Sequence, residues 1–202
     1  AHVDGVRRLI ADSAVLLLVQ LAGDSSDDGT RSCVAATFYN LSQRKPLTDA
    51  GFLPALVTLS NANENLRVLW CAMTFSNLST FPKGRAMLGK SRELIPCLSA
   101  MMRSGCQDAE RIQLHCSVAL CNSLSVFLHK DDVLAMIENE TVQDLIVITV
   151  LRVNDVHTKQ VLSKALFNLL TMKEARPELT KAGVPMAMLR LTRVENAELN
   201  LL

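Results

Sequence analysis

The sequence predicts an all-α protein built as one continuous stack of similar helical units, and three observations carry this. First, one phrase returns four times: Thr37-Phe38-Tyr39-Asn40-Leu41-Ser42, Thr74-Phe75-Ser76-Asn77-Leu78-Ser79, Ala119-Leu120-Cys121-Asn122-Ser123-Leu124 and Ala165-Leu166-Phe167-Asn168-Leu169-Leu170. Its Asn recurs at steps of 37, 45 and 46 residues, a spacing typical of stacked helical repeats. Second, a Gly/Pro phrase falls between these: Thr48-Asp49-Ala50-Gly51-Phe52-Leu53-Pro54, Thr180-Lys181-Ala182-Gly183-Val184-Pro185 and, more weakly, Ser91-Arg92-Glu93-Leu94-Ile95-Pro96. Gly accepts the left-handed conformation that ends one helix, and Pro suits the first turn of the next, where its missing N–H is not needed. Third, a residue able to cap a helix N-terminus precedes each repeated Asn by 12 to 14 positions: Asp28, Asn65, Asp108 and Asp155. Apolar residues then follow at helical spacing, as in Leu66, Leu69, Trp70, Met73, Phe75 and Leu78.

Each unit therefore holds three helices: a short first, a middle second and a long third that ends in the Asn phrase. The boundaries fall at 1–43, 44–80, 81–127, 128–171 and an incomplete 172–202, all within one domain of 202 residues. The fourth unit departs from the pattern, with Asn139-Glu140-Thr141-Val142 in place of the Gly/Pro boundary. No clear first helix opens the chain, and Asn196 to Leu202 falls inside the expected last long helix. Stacked arrays need polar end units, so further repeats or another chain are expected at the ends.

Composition agrees. Hydrophobic residues make up 49% of the chain and aromatics only 4%, so Leu, Val, Ala and Met must fill the core, which suits packed helices better than a β-sandwich. With 21 basic and 20 acidic residues the net charge is +1, which lacks the basic excess of a nucleic-acid binder. The apolar runs Ala14 to Val19 and Leu145 to Leu151 are too short to span a bilayer, so no membrane insertion is expected. The six cysteines form no C-x-x-C pair and read as reduced, buried thiols of an intracellular protein. The sequons at Asn40 and Asn77 lie inside apolar helical patterns, where a glycan has no room.

The Ala-x-x-Asn-Leu phrase near the end of a long helix, with Ala-Gly-x-x-Pro before the middle helix, resembles the armadillo repeat over nearly the whole chain. HEAT repeats share the longer spacings, and the recurring Asn decides for armadillo. The resemblance implies a right-handed α-solenoid of about four and a half three-helix units, and a concave face that holds extended peptides, as in importin-alpha-like and beta-catenin-like proteins. Importin-alpha-like repeats place a Trp four residues before the Asn. Here those positions hold Ala36, Met73, Val118 and Lys164, and the one Trp, Trp70, lies seven before. A groove that reads acidic segments, as in beta-catenin-like proteins, fits these residues better.

No catalytic constellation is visible, and neither a cofactor nor a metal is expected. His115 with Cys116 and Cys121 is the nearest approach to a ligand set, but residues i and i+1 of a helix face apart. The binding strip is read from helical geometry instead. On each long helix the Asn shares a face with residues four, seven and eleven before it. The strip so defined comprises Asn40, Trp70, Met73, Asn77, Arg111, His115, Asn122, His157, Lys164 and Asn168. Two roles are open to the Asn side chains. Each amide offers a donor and an acceptor to an extended peptide backbone, or it bonds a neighbouring helix and holds the stack. Trp70 is likewise open to partner contact or to core packing. The function expected is a cytoplasmic protein-interaction scaffold. The alternative is a structural subunit of a fixed cytoskeletal or axonemal assembly, which would use the convex face and the array ends.

Overall fold

Each long helix begins beside a carboxylate, though not always the one expected. Asp27 caps α2 (Asp28–Ser42): its Oδ2 accepts from both the N–H and the hydroxyl of Thr30, each at 2.6 Å. Asp155 caps α10 (Val156–Leu170) in the same way through Thr158, at 2.7 and 2.6 Å. The expected cap Asp28 is instead the first helical residue, because its carboxylate pairs across to Arg67 at 2.8 Å. In α4 (Asn65–Thr80) the cap position falls on Glu64, not Asn65. In α7 (Ala109–Leu124) it falls on Asp108, whose carboxylate turns to Arg111 at 3.0 Å.

The computed structural model describes residues 2–43, 47, 51–61, 64–103, 105–125, 130–138 and 140–199, and no strand occurs among them. A helix the sequence did not announce, α1 (His2–Asp24), opens the chain. Its described side chains include buried Val15 and Ala22 and exposed Leu16, Leu17 and Leu21, so no single stripe betrays it. Between the long helices run α3 (Phe52–Ser60), α5 (Pro82–Gly89), α6 (Leu94–Met102), α8 (Lys130–Glu138) and α9 (Thr141–Val147). The last of these continues into a π-helical turn, Ile148–Arg152. A 3₁₀ turn, Lys173–Ala175, leads to α11 (Arg176–Lys181) and α12 (Val184–Leu199). α12 follows the second Gly/Pro phrase without a break, so it corresponds to a middle helix and not to a further long one.

Two rows result. The long helices α2, α4, α7 and α10 each pack on the next in chain order, and α1, α3, α6, α9 and α12 do the same beside them. One continuous core fills the space between the rows, from Val15 to Val184. Leu78 and Leu169 are fully enclosed there and Leu124 nearly so, whereas Leu41 is only half-buried. Phe38 and Phe52 meet edge to face, with centroids 4.7 Å apart. Gly51 and Gly183 hold the left-handed conformation foreseen for them, at φ 85° and 91°. At the departing fourth boundary Glu140 holds it instead, at φ 57°. Gly84 allows α5 to cross the end of α4: a Cβ there would lie 2.1 Å from the Leu78 carbonyl oxygen.

Candidate partner-binding face

The repeated Asn residues lock one long helix to the one before it. Asn77 Nδ2 donates to Ser42 Oγ at 3.0 Å, and Asn122 Nδ2 donates to Ser79 Oγ at 3.0 Å. Ser42 and Ser79 are corresponding residues, each two after the Asn of its own helix. Both hydroxyls in turn donate to a carbonyl three residues back, Tyr39 and Ser76, which orients the lone pair that receives the amide. Leu124 occupies this place in the third unit and cannot accept. Asn168 Nδ2 therefore donates to the Cys121 carbonyl, at 3.1 Å. Among the described residues Asn77 and Asn122 each spend one donor in this way, Asn168 also donates to the Cys121 sulfur at 4.0 Å, and the three side-chain carbonyls are left uncommitted.

The other strip residues lie along the open side of the same helices. Asn40, Arg111, His157 and Lys164 are exposed, and His115 is half-buried. Trp70 and Met73 are also half-buried, each with one side against the core. The two readings of Trp70 thus meet in one side chain: part of the ring is packing and part is surface. Leu66, grouped by spacing with core residues, is half-exposed on this side of α4. Sequence reasoning also passed over Phe167. It occupies the place of Ser76 in α4 and Cys121 in α7, beside which a following long helix lies, yet on α10 it is 56% exposed.

The electrostatics of this face lean basic. Burial, reinforced by the Arg111 charge, lowers the His115 pKa and favours the neutral ring. Burial raises the Cys121 thiol, and nearby Lys164 partly offsets it. Beneath the strip, Arg67 is only 5% exposed and reaches Asp28 on α2, while Glu64 bonds Ser32. This buried polar cluster between α2 and α4 had no signal in sequence, because Arg67 sits where helical spacing allows either surface or interior.

Not all six thiols are buried as expected: Cys33, seven residues before Asn40 and so on its open face, is exposed, Cys106 and Cys121 are half-buried, and Cys71, Cys97 and Cys116 are core groups. Cys71, Cys97 and Cys116 converge from α4, α6 and α7, and burial is the leading cause that pushes all three up. Ser60 Oγ and Cys97 Sγ share a hydrogen bond at 3.0 Å. Among the described residues no group of three His, Cys, Asp or Glu side chains could hold a metal ion. Nor is any helix among them long and apolar enough to cross a membrane.

No protein-family model matches the chain, and no curated protein matches it significantly. Among solved structures it is similar to the crystal structure of an engineered protein, a Northeast Structural Genomics Consortium target. The two share 20% identity and a TM-score of 0.65, over 86% of this chain and 70% of that one. The likeness is one of fold.

Proposed function

We propose that the chain is a non-enzymatic scaffold. On this reading it is a right-handed armadillo-like solenoid that holds an extended partner segment along the strip from Asn40 to Asn168. The observation that carries the reading is the interhelical Asn series. Three amides are fixed in register on successive helices, each with its carbonyl to spare and, at Asn77 and Asn122, one N–H as well. That pairing matches the N–H and C=O of an extended backbone, and the fixed spacing means little ordering entropy is lost on binding. Arg111, His157 and Lys164 favour a partner with carboxylates, and Trp70 and Leu66 favour apolar anchors between them. Unpaired thiols at Cys71, Cys97 and Cys116 support a reducing, cytoplasmic setting.

Panning a displayed library of short linear peptides against the chain tests this. Peptides with Asp or Glu interleaved with apolar residues should be enriched. Arg111→Glu combined with Lys164→Glu should weaken their binding at least tenfold, a change that needs only about 1.4 kcal/mol. No enrichment, or binding indifferent to the charge reversal, would count against the strip. The second reading, a structural subunit of a fixed assembly, draws on a different observation: apolar residues exposed on α1 and beside α12.

A further inference from the structure

α1 is apolar on two opposite sides. Val15, Leu18, Val19 and Ala22 face inward at helical spacing, with Val15 and Ala22 fully buried and the other two packed against the core. Outward, Leu17 is 58% exposed and Leu21 38% exposed. A helix apolar all round is suited to burial on both sides. Asp24 continues the outward line at i+7 from Leu17, is exposed, and has no ion-pair partner among the described residues. The ridge thus reads Leu17, Leu21, Asp24.

The opposite region of the chain carries a groove of about 230 Å³ between the π-helical turn and α12. Ile146, Val150 and Leu151 form one wall, and Met186 with Arg190 forms the other. Leu151 is 71% and Met186 58% exposed, although both are large and apolar. π-helical turns are rare and concentrate at functional sites. Here the turn presents Val150 and Leu151 to the groove.

We propose that the Leu17–Leu21–Asp24 ridge of one copy of this chain seats in the Ile146–Leu151/Met186–Arg190 groove of another, so that the protein associates head to tail. The match is one of shape, polarity and charge. Two Leu side chains at i and i+4 present a ridge to an apolar trough, and the carboxylate that follows them meets the one guanidinium in the lining. The spacing agrees. Leu21 to Asp24 spans about 4.5 Å of helix axis and Met186 to Arg190 about 6 Å, a difference that an arginine side chain covers. Because ridge and groove are different surfaces, the contact is heterologous, and each copy keeps one of each available for the next. A contact of so few residues belongs among weak associations.

Sedimentation of the chain over rising micromolar concentrations tests the proposal. The weight-average mass should climb without a plateau at a dimer. Leu17→Asp and Leu151→Asp should each reduce association at least tenfold, with Met186→Asp as a second groove variant. Helical content should stay that of the parent, since all three residues are exposed. The two single variants mixed in equal amounts should form a heterodimer and nothing larger, because one keeps the groove and the other the ridge. Asp24→Arg should weaken association, and Arg190→Glu in the same chain should restore it. A chain that stays monomeric, association that survives either Leu variant, a mixture that stays monomeric, or a charge swap that restores nothing would each overturn the proposal.

Discussion

Leu78→Ala should be among the most damaging single substitutions in this chain. Leu78 is fully enclosed near the end of α4, the long helix flanked by α2 on one side and α7 on the other. Removing the side chain down to its Cβ takes away roughly three carbons, or about 2.4 kcal/mol of transfer free energy at ~0.8 kcal/mol for each. The remaining space, roughly 60 Å³, adds about 1.5 kcal/mol at ~24 cal/mol per Å³ if the site cannot close. It has little freedom to close. Gly84 sits so near the Leu78 carbonyl that a Cβ there would be 2.1 Å away, so α5 already pins the end of α4. The expected loss is therefore about 4 kcal/mol, in the upper part of the range for such changes. Urea unfolding would read it directly, and thermal unfolding would show a fall of about 8 to 16 °C for a chain of this size. Hydrogen exchange should show the loss spreading to α2 and α7 before α12, as expected when each unit contacts only its neighbours. A loss below about 1 kcal/mol would refute the reasoning, because it would mean that α4 relaxes into the space despite its neighbours.

Glu140→Gly should stabilise the chain by up to about 1 kcal/mol in urea unfolding, since Glu140 is exposed and holds a left-handed φ that costs an L-residue roughly that much. The caps make a prediction about pH. The Thr30 hydroxyl and N–H hold Asp27 below the usual carboxylate range, and Thr158 does the same for Asp155. A depressed carboxylate contributes stability above its unfolded pKa, near 3.8 here, and loses that contribution as pH falls through the folded value. Melting temperature should therefore drop less steeply below pH 4 in Asp27→Asn/Asp155→Asn than in the parent. Thiol labelling with a chromogenic disulfide reagent should modify exposed Cys33 at once, and reach Cys71, Cys97 and Cys116 only as the chain unfolds.

The long helices were legible in sequence because each combines a strong local stop with a periodic apolar face. α2, α4, α7 and α10 end two or three residues past their Asn, and Gly51 and Gly183 take up the left-handed turns their places demanded. What escaped depended on contacts between units. Asp27 and Asp28 are equally good caps, and only the ion pair with Arg67, 39 residues away, selects which of them caps. α1 was missed because its second apolar side erases the amphipathic signal. Glu140 carries no local mark of a left-handed turn. The Asn partners were half visible. Ser42 and Ser79 stand at the same place in the repeated phrase, but only the stacked helices show that each receives the amide of the next unit. On the strip, spacing placed Asn77, Asn122 and Asn168 side by side, yet it could not show that each would keep only part of its hydrogen-bonding capacity for a partner.

The side-chain amide resonances of those three residues give the most direct test of the scaffold reading. In the free protein one Nδ2 proton of each should exchange slowly, because it is donated to Ser42, Ser79 or the Cys121 carbonyl. Titration with an acidic peptide selected by panning should shift the amide signals of Asn77, Asn122 and Asn168 together, with Trp70 shifting at the same midpoint and the slowly exchanging protons retained. Peptide binding that leaves these amides unmoved, and instead perturbs Val147, Leu151 or Met186, would contradict the account and move partner binding to the outer groove.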